Sequence, residues 1–407
     1  MARGRHAGGD LKQHEEDAMQ QDERPLYLDY NATTPVAPEV RAAMAPFLAE
    51  EFGNPSSGHA YGRRARAAVE AARAQVAALI GAAPGEIVFT SGGTEAANLA
   101  IRGALEARPE RRRVVTSAFE HPATEETCAR LERRGVAVVR VSPARDGRVR
   151  AEDVARSLTG DTAVVTMIHA HNELGTLQPI AEIAREARRH GALMHADAAQ
   201  SLGKVPVNVD ALGVDLLSIA GHKLYAPKGV GALYLRAGVT LQPVLAGAAQ
   251  ERALRPGTEN VAGIVGLGAA SVLAGRVLES AGARMRELRD RLLARLSAAV
   301  PGLVLHGHPT ERLPNTLFVS FPGVRGDALL AATPEIAAST GSACHSGSAA
   351  PAAALLAIGV PPEQALGPVR LSLGRDTTAD EVDRAAHLLG ERWAALRAQP
   401  APSRRRA

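Results

Sequence analysis

Along most of its 407 residues the chain alternates between short unbroken apolar runs and longer stretches in which apolar positions return every three or four residues. The first kind reads as buried strands, the second as amphipathic helices. After an extended piece at 27–30 and a proline-punctuated turn, the spacing predicts helices over 40–48 and 62–80, the latter stopped by Gly81. Strands are then predicted at 87–90, 114–116, 136–141, 163–169, 193–196, 216–219 and 231–235, with helical patterns between them, including 94–105 and 180–190. Such alternation predicts an α/β architecture with a mainly parallel sheet covered on both faces. Near residue 277 the pattern changes. An amphipathic stretch over 283–300 ends at Pro301-Gly302, and strands near 317–321 and 369–373 flank helical segments, which predicts a second, smaller lobe. The expected division is an extension at 1–24, a segment at 25–36 joining the small domain, a large domain at 37–277, a small α+β domain at 278–396 and a tail at 397–407.

Composition narrows the function classes. Hydrophobic residues make up 46% of the chain, enough to bury a core in each lobe, and aromatics only 3%. The net charge of +4 is modest and part of it sits in Arg404-Arg-Arg406, so there is no basic stripe of the kind that tracks nucleic acid. No uninterrupted apolar run reaches the ~18 residues of a membrane helix. Residues 1–24 lack the apolar centre of a signal peptide and are too acidic for an organelle transit sequence, so a cytoplasmic location is expected. Cys128 and Cys344 are too few for a disulfide framework and too far apart for a CxxC metal site.

Lysine usage supplies the first chemical signal. Only four of the 47 basic residues are lysine, and three of those are Lys204, Lys223 and Lys228. A lysine kept where arginine is the habit suits chemistry that guanidinium lacks, such as Schiff-base formation with an aldehyde. Lys223 follows a predicted strand, and upstream Asp197 ends another. An acid at a strand end with a later lysine suits pyridoxal phosphate, which needs an amine for its aldehyde and an acid for its ring nitrogen. An Asp that merely caps the next helix is equally compatible with the residue alone. Gly93 and Thr94 lie between a strand and a helix, where backbone N–H groups and the helix dipole favour a phosphate, although a glycine turn with a threonine cap reads the same way. Arg370 in an apolar strand wants a carboxylate, from a substrate or from an internal acid. His169-Ala-His171 and His195-Ala-Asp197 admit a metal reading as in hydrolases, which leaves Lys223 unexplained. Cys344 lies in a run of small residues suited to an accessible nucleophile, whereas Cys128, on a predicted helix, reads as buried and inert.

These segments together resemble the cysteine desulfurases, pyridoxal-phosphate enzymes of the class-V aminotransferase group. The likeness runs from Tyr27-Leu-Asp-Tyr-Asn-Ala-Thr-Thr-Pro35 through Thr90-Ser-Gly-Gly-Thr-Glu95, Glu120-His-Pro122, Asn172-Glu-Leu-Gly175, Asp197-Ala-Ala-Gln200, Gly221-His-Lys223, Gln250-Glu-Arg252 and Gly257-Thr258 to Gly341-Ser-Ala-Cys344 and Arg370-Leu-Ser-Leu-Gly374. It implies the fold type I architecture, with a seven-stranded sheet in the large cofactor-binding domain. It further implies that Lys223 carries the cofactor as a Schiff base, Asp197 meets the ring nitrogen and His121 stacks on the ring and shuttles protons. Asn172 and Gln200 address the ring hydroxyl; Gly93, Thr94, Gly221 and His222 surround the phosphate, and Thr258 reaches it from the partner subunit of a homodimer. Arg370 then binds the carboxylate of L-cysteine, and the Cys344 thiolate attacks its sulfur, leaving a persulfide and L-alanine. The sulfur passes to an acceptor such as an iron-sulfur scaffold protein, and Cys344 is placed to ligate a nascent cluster transiently. Selenocysteine cleavage, or a weakly active sulfur-carrying partner, are the alternatives. The sequence departs from the family pattern at Ala220, where a phosphate-binding serine is usual, at Ala248 and Ala249 in place of glycines, at His171 in place of asparagine, and at His345.

Overall fold

The computed structural model describes residues 24–341 and 352–398. Two short edge strands come first in sequence order: β1 (Leu26–Tyr27), then β2 (Ile87–Thr90). They are followed by β3 (Arg113–Ser117), β4 (Ala137–Val141), β5 (Thr162–Ile168), β6 (Leu193–Asp197), β7 (Leu216–Ala220) and β8 (Gly231–Leu235). Strands β2 to β8 form one seven-stranded sheet in the order β2-β8-β7-β6-β5-β3-β4, parallel throughout except for β8, which runs antiparallel to both its neighbours. Every residue of β5, β6 and β7 is buried. That explains why these strands read as unbroken apolar runs: helices cover both faces. The expected fold class is the one observed.

The smaller lobe is built on a three-stranded antiparallel sheet, β12 (Pro368–Ser372), β10 (Thr316–Ser320) and β9 (Val304–Leu305), with its own core around Leu292, Leu317, Val369 and Leu389. Strand β1 pairs in parallel with β11 (Ile336–Ala337), so the first described residues belong to this lobe.

One element differs from the sequence reading. The change of pattern near 277 is not a break: a single 39-residue helix, Val261–Ala299, runs through it. Its first half places Ile264, Leu267, Ala270 and Leu273 in the core of the large lobe, while its second half gives Leu288, Leu292 and Leu296 to the small one. The pattern shifts because the helix changes partner, from a close-packed seam of glycine and alanine to an ordinary leucine stripe. Gly268 shows how close the first seam is, since a Cβ there would lie 2.8 Å from the Cα of Ala72 on the helix Ala60–Ile80. By length and hydropathy the helix resembles a membrane span, yet its apolar face is covered by these two cores.

Candidate active site

Because β2, β7, β6, β5 and β3 point the same way, their carboxyl ends converge, as ligand sites of open α/β sheets do. The convergence encloses a cavity of about 240 Å³ lined by Gly93, Thr94, His121, Asn172, Asp197, Gln200, Ala220, His222, Lys223 and Arg370 among others. The structure thus brings together ten residues from five strand ends and the small lobe. Gly221 is buried behind them, where a Cβ would lie 2.8 Å from the carbonyl oxygen of Val230. Thr258 is exposed and lies outside this lining in its own chain. Cys344 and His345 fall outside the described residues.

Asp197 is the last residue of β6 and is 6% exposed. Its Oδ1 accepts a hydrogen bond of 2.9 Å from the Ala199 amide, and among the described residues no cation stands within ion-pair distance. A buried acid with no ion-pair partner among the described residues is costly unless the cavity's occupant supplies a positive charge at hydrogen-bonding distance. His121 is the N-cap of the helix Pro122–Glu132; its Nδ1 accepts from the Ala123 amide at 3.1 Å, which leaves the proton of the neutral ring on Nε2. Burial and the Lys223 cation lower its pKa, with Asp197 opposing them, so the ring is held neutral. Its neighbour Glu120 is buried and pushed up to about 8 by desolvation, with Oε2 lacking a partner among the described residues.

Lys223 sits in a tight turn, Gly221–Lys223, held by the amino-terminal segment. The Thr34 hydroxyl donates to the His222 carbonyl at 2.9 Å and accepts from the Tyr225 amide at 3.0 Å, while Thr33 Oγ1 meets His222 Nδ1 at 3.1 Å. Tyr225 adopts a left-handed φ of 62°, a strained conformation that these bonds enforce. Burial and the adjacent Lys223 depress the His222 pKa to about 4. Another wall of the cavity has the amino end of the helix Gly93–Glu106, where a Cβ on Gly93 would lie 3.2 Å from the methyl of Ala220, a tight contact.

Arg370 is 1% exposed. Of the two partners left open by the sequence, an internal acid is present: Nη2 donates to Asp29 Oδ1 at 2.7 Å. Nη1 donates to the Asn172 carbonyl at 3.2 Å, and Nε is buried with no partner among the described residues, so the protein leaves donor hydrogens of the guanidinium unused.

The metal reading of the histidines fails on their contacts. His195 lies between the hydroxyls of Thr166 and Ser218, each at 2.8 Å, inside the sheet. His171 stacks on Phe119, with Nε2 on the Phe119 carbonyl at 3.0 Å and Nδ1 accepting from the amides of Glu173 and Leu174. No group of three or more potential ligands occurs among the described residues. Cys128 is buried and its thiol is pushed up to about 12, mainly by desolvation, in keeping with an inert core position.

Sequence reasoning missed the supports. Asp29, Asn31, Thr33 and Thr34 lay in a motif noticed only as a likeness, and Lys204, Arg73 and Glu251 were not singled out for a role. Their signal was polarity in otherwise apolar or turn-rich stretches, which does not name a partner hundreds of residues away.

Comparison with known proteins agrees with this geometry. The aminotransferase class-V family profile matches residues 26–385. A cysteine desulfurase of Trichormus azollae is 47% identical over 375 residues, 92% of this chain and 94% of that protein. The cysteine desulfurase IscS of Dictyoglomus turgidum is 45% identical, over 88% of this chain and 92% of its own. Among solved structures, a NifS-like protein superposes with a TM-score of 0.85 at 36% identity, covering 92% of this chain and 99% of that one. SspA in complex with cysteine gives a TM-score of 0.77 at 36% identity, covering 86% and 99%. The chain belongs to the class-V aminotransferase family, among its cysteine desulfurases.

Proposed function

We propose that the protein takes the sulfur atom of L-cysteine, releases L-alanine and hands the sulfur to an acceptor protein, working as a cytoplasmic homodimer. The observation that carries this reading is the cavity whose lining brings together Lys223, the buried acid Asp197 and Arg370. This set fits pyridoxal phosphate. Lys223 would hold its aldehyde, Asp197 its ring nitrogen, and Gly93, Thr94 and His222 its phosphate, with Thr258 contributed from the second subunit. The bound cofactor supplies an electron sink beside the substrate's α-carbon.

The chain's own groups do the rest. Arg370 binds the substrate carboxylate with the guanidinium hydrogens that Asp29 and Asn172 leave unused, while Asp29 keeps the guanidinium plane fixed. Neutral His121, its Nδ1 taken by the Ala123 amide, presents the Nε2 hydrogen and acts first as a donor; it takes up a substrate proton only at Nδ1, when that hydrogen bond is given up. The Cys344 thiolate forms a bond to the substrate sulfur as the carbon–sulfur bond breaks; the electron pair stays on carbon, which takes up a proton to give alanine. Cys344 is left as a persulfide, from which a thiol of the acceptor takes the outer sulfur. An iron-sulfur scaffold is the acceptor class that the family likeness favours.

Purified protein supplied with pyridoxal phosphate is expected to turn yellow and, with cysteine and a reductant, to release alanine and sulfide repeatedly. Cys344→Ala is expected to keep the colour and lose the persulfide. A colourless Lys223-intact protein, or undiminished turnover in the Cys344 variant, overturns the reading.

A further inference from the structure

Lys204 has no part in the chemistry above, yet it is one of four lysines in the chain and is buried beside the cavity. Its Nζ lies 2.9 Å from Gln200 Oε1 and 3.0 Å from Asn31 Oδ1. Amide oxygens only accept, so Nζ donates in both bonds. Each amide is fixed from its other end as well. Gln200 Nε2 donates to the main-chain oxygen of Asn31 at 2.9 Å, and Asn31 Nδ2 donates to the Asn172 carbonyl at 3.2 Å and to Thr316 Oγ1 at 2.9 Å. Asn315 Nδ2, anchored on the Leu373 carbonyl at 2.9 Å, donates to Asn31 Oδ1 at 3.1 Å. The orientation therefore follows from main-chain carbonyls and from the lysine, not from the lysine alone.

What Lys204 does by itself is satisfy the Gln200 oxygen. Gln200 is 2% exposed, and Lys204 is the sole donor to Oε1 among the described residues. Without it that oxygen is left buried and unpaired, and the amide gains by turning the oxygen towards any donor in the cavity. With it, the amide keeps its oxygen away and offers the second Nε2 hydrogen to the cavity. We propose that Lys204 is a positioning residue that makes Gln200 a hydrogen-bond donor, never an acceptor, towards the oxygen substituent of the cofactor ring. Burial, then the cations Lys223 and Arg370, lower the lysine's pKa well below its ordinary range, a cost that its two amide acceptors help to offset.

The inference rests on pyridoxal phosphate binding, and its test separates the two. An N–H donated to the ring oxygen favours its ionised, yellow form; a carbonyl in that place favours the protonated form, which absorbs in the near ultraviolet. Lys204→Met keeps the side-chain length and removes the donor. The ratio of yellow to ultraviolet absorption in the loaded, substrate-free protein is expected to fall about threefold to tenfold, the range one hydrogen bond supplies. Lys204→Arg, whose head also only donates and which has a cavity of about 30 Å³ beside it, is expected to restore the ratio. Gln200→Leu sets the baseline: adding Lys204→Met to it is expected to change nothing further. An unchanged ratio in Lys204→Met, or a full second drop in the double variant, overturns the proposal, the latter because the lysine would then act by charge and not through Gln200. Should the methionine variant not fold, the same cycle with Lys204→Leu, whose head cannot donate, decides the matter by the same two outcomes. If the unaltered protein shows no yellow band, it is the proposed function that fails.

Discussion

The cavity and the chain beside it are built by different means. On the proposed ring side Asp197 ends a strand, and Gln200 and His121 follow within four residues of strand ends, so the sheet that buries the core also aims these side chains. Beyond the proposed phosphate side, and outside the cavity lining, runs the segment 248–258, in which three successive non-glycine residues, Glu251, Arg252 and Ala253, have left-handed φ of 46°, 59° and 62°. Each costs roughly 1–3 kcal/mol, so something must over-determine the segment. Arg73 does this: Nη1 and Nη2 grip Glu251 at 2.8 and 2.7 Å, and Glu251 Oε2 also accepts from the Phe89 amide at 2.7 Å. Arg255 adds a 2.9 Å bond to Glu95, in the first turn of the Gly93–Glu106 helix. The ring side is a by-product of folding; the neighbouring segment is strained chain held by a buried ion pair.

The contrast breaks most visibly at Glu251. Glu251→Gln leaves the buried Arg73 with only the exposed Glu70 as a charge partner and is expected to lower stability by at most about 3–5 kcal/mol, read by denaturant unfolding, and to weaken cofactor retention with it. An unchanged midpoint would mean that the strain is relieved elsewhere.

Acid attacks the buried histidines of both lobes. In the folded protein His169, His195, His222 and His306 titrate near 4 and His171 near 3, all chiefly through burial. As pH falls through about 6.5 the unfolded chain takes up protons that these rings refuse, so stability drops between there and pH 4. Glu120 works the opposite way: raised to about 8, it adds stability that is complete below the usual glutamate range and lost as pH rises through 8. One acid offsets one of five histidines, and the net fall on acidification is expected to be on the order of 1 kcal/mol or more per pH unit. A flat profile between pH 6.5 and 4 would contradict the burial of these rings.

Asp197→Asn separates function from fold. Losing a charged hydrogen bond to the ring nitrogen is expected to reduce alanine formation about 10- to 100-fold, while the unfolding midpoint holds or rises, because an acid without a cation leaves the interior. The smallest effect belongs to Ala220→Ser. A hydroxyl there restores one contact towards the phosphate and is expected to tighten cofactor binding by about 0.5–1.5 kcal/mol, measured by titrating the cofactor-free protein.

The same contrast explains how much was legible in the sequence. Strands β5 to β7 announce themselves as apolar runs, and Asp197 and Lys223 stand out as polar ends of such runs, so the ring side was readable. Asp29, Asn31 and Lys204 act through contacts across the chain that no local period records. Nothing in the local pattern of the helix Ala60–Ile80 tells Arg73 from a surface arginine, yet the fold turns it towards Glu251, and the helix Val261–Ala299 hides its continuity by changing partners halfway.

The segment at 26–35 has a consequence for the timing of synthesis. The Asn31 amide bonds to Ser372 Oγ, a separation of 341 residues, and Thr34 braces the Lys223 turn from the same strip of chain. At about 5–20 residues per second, roughly 20 to 70 s pass between translation of Asn31 and of its partner. The large sheet has all its strands well before then, and the bonds from Thr33 and Thr34 to the Lys223 turn need nothing made later than Tyr225, so what waits for the end of biosynthesis is the anchoring of this strip on β12 of the small lobe.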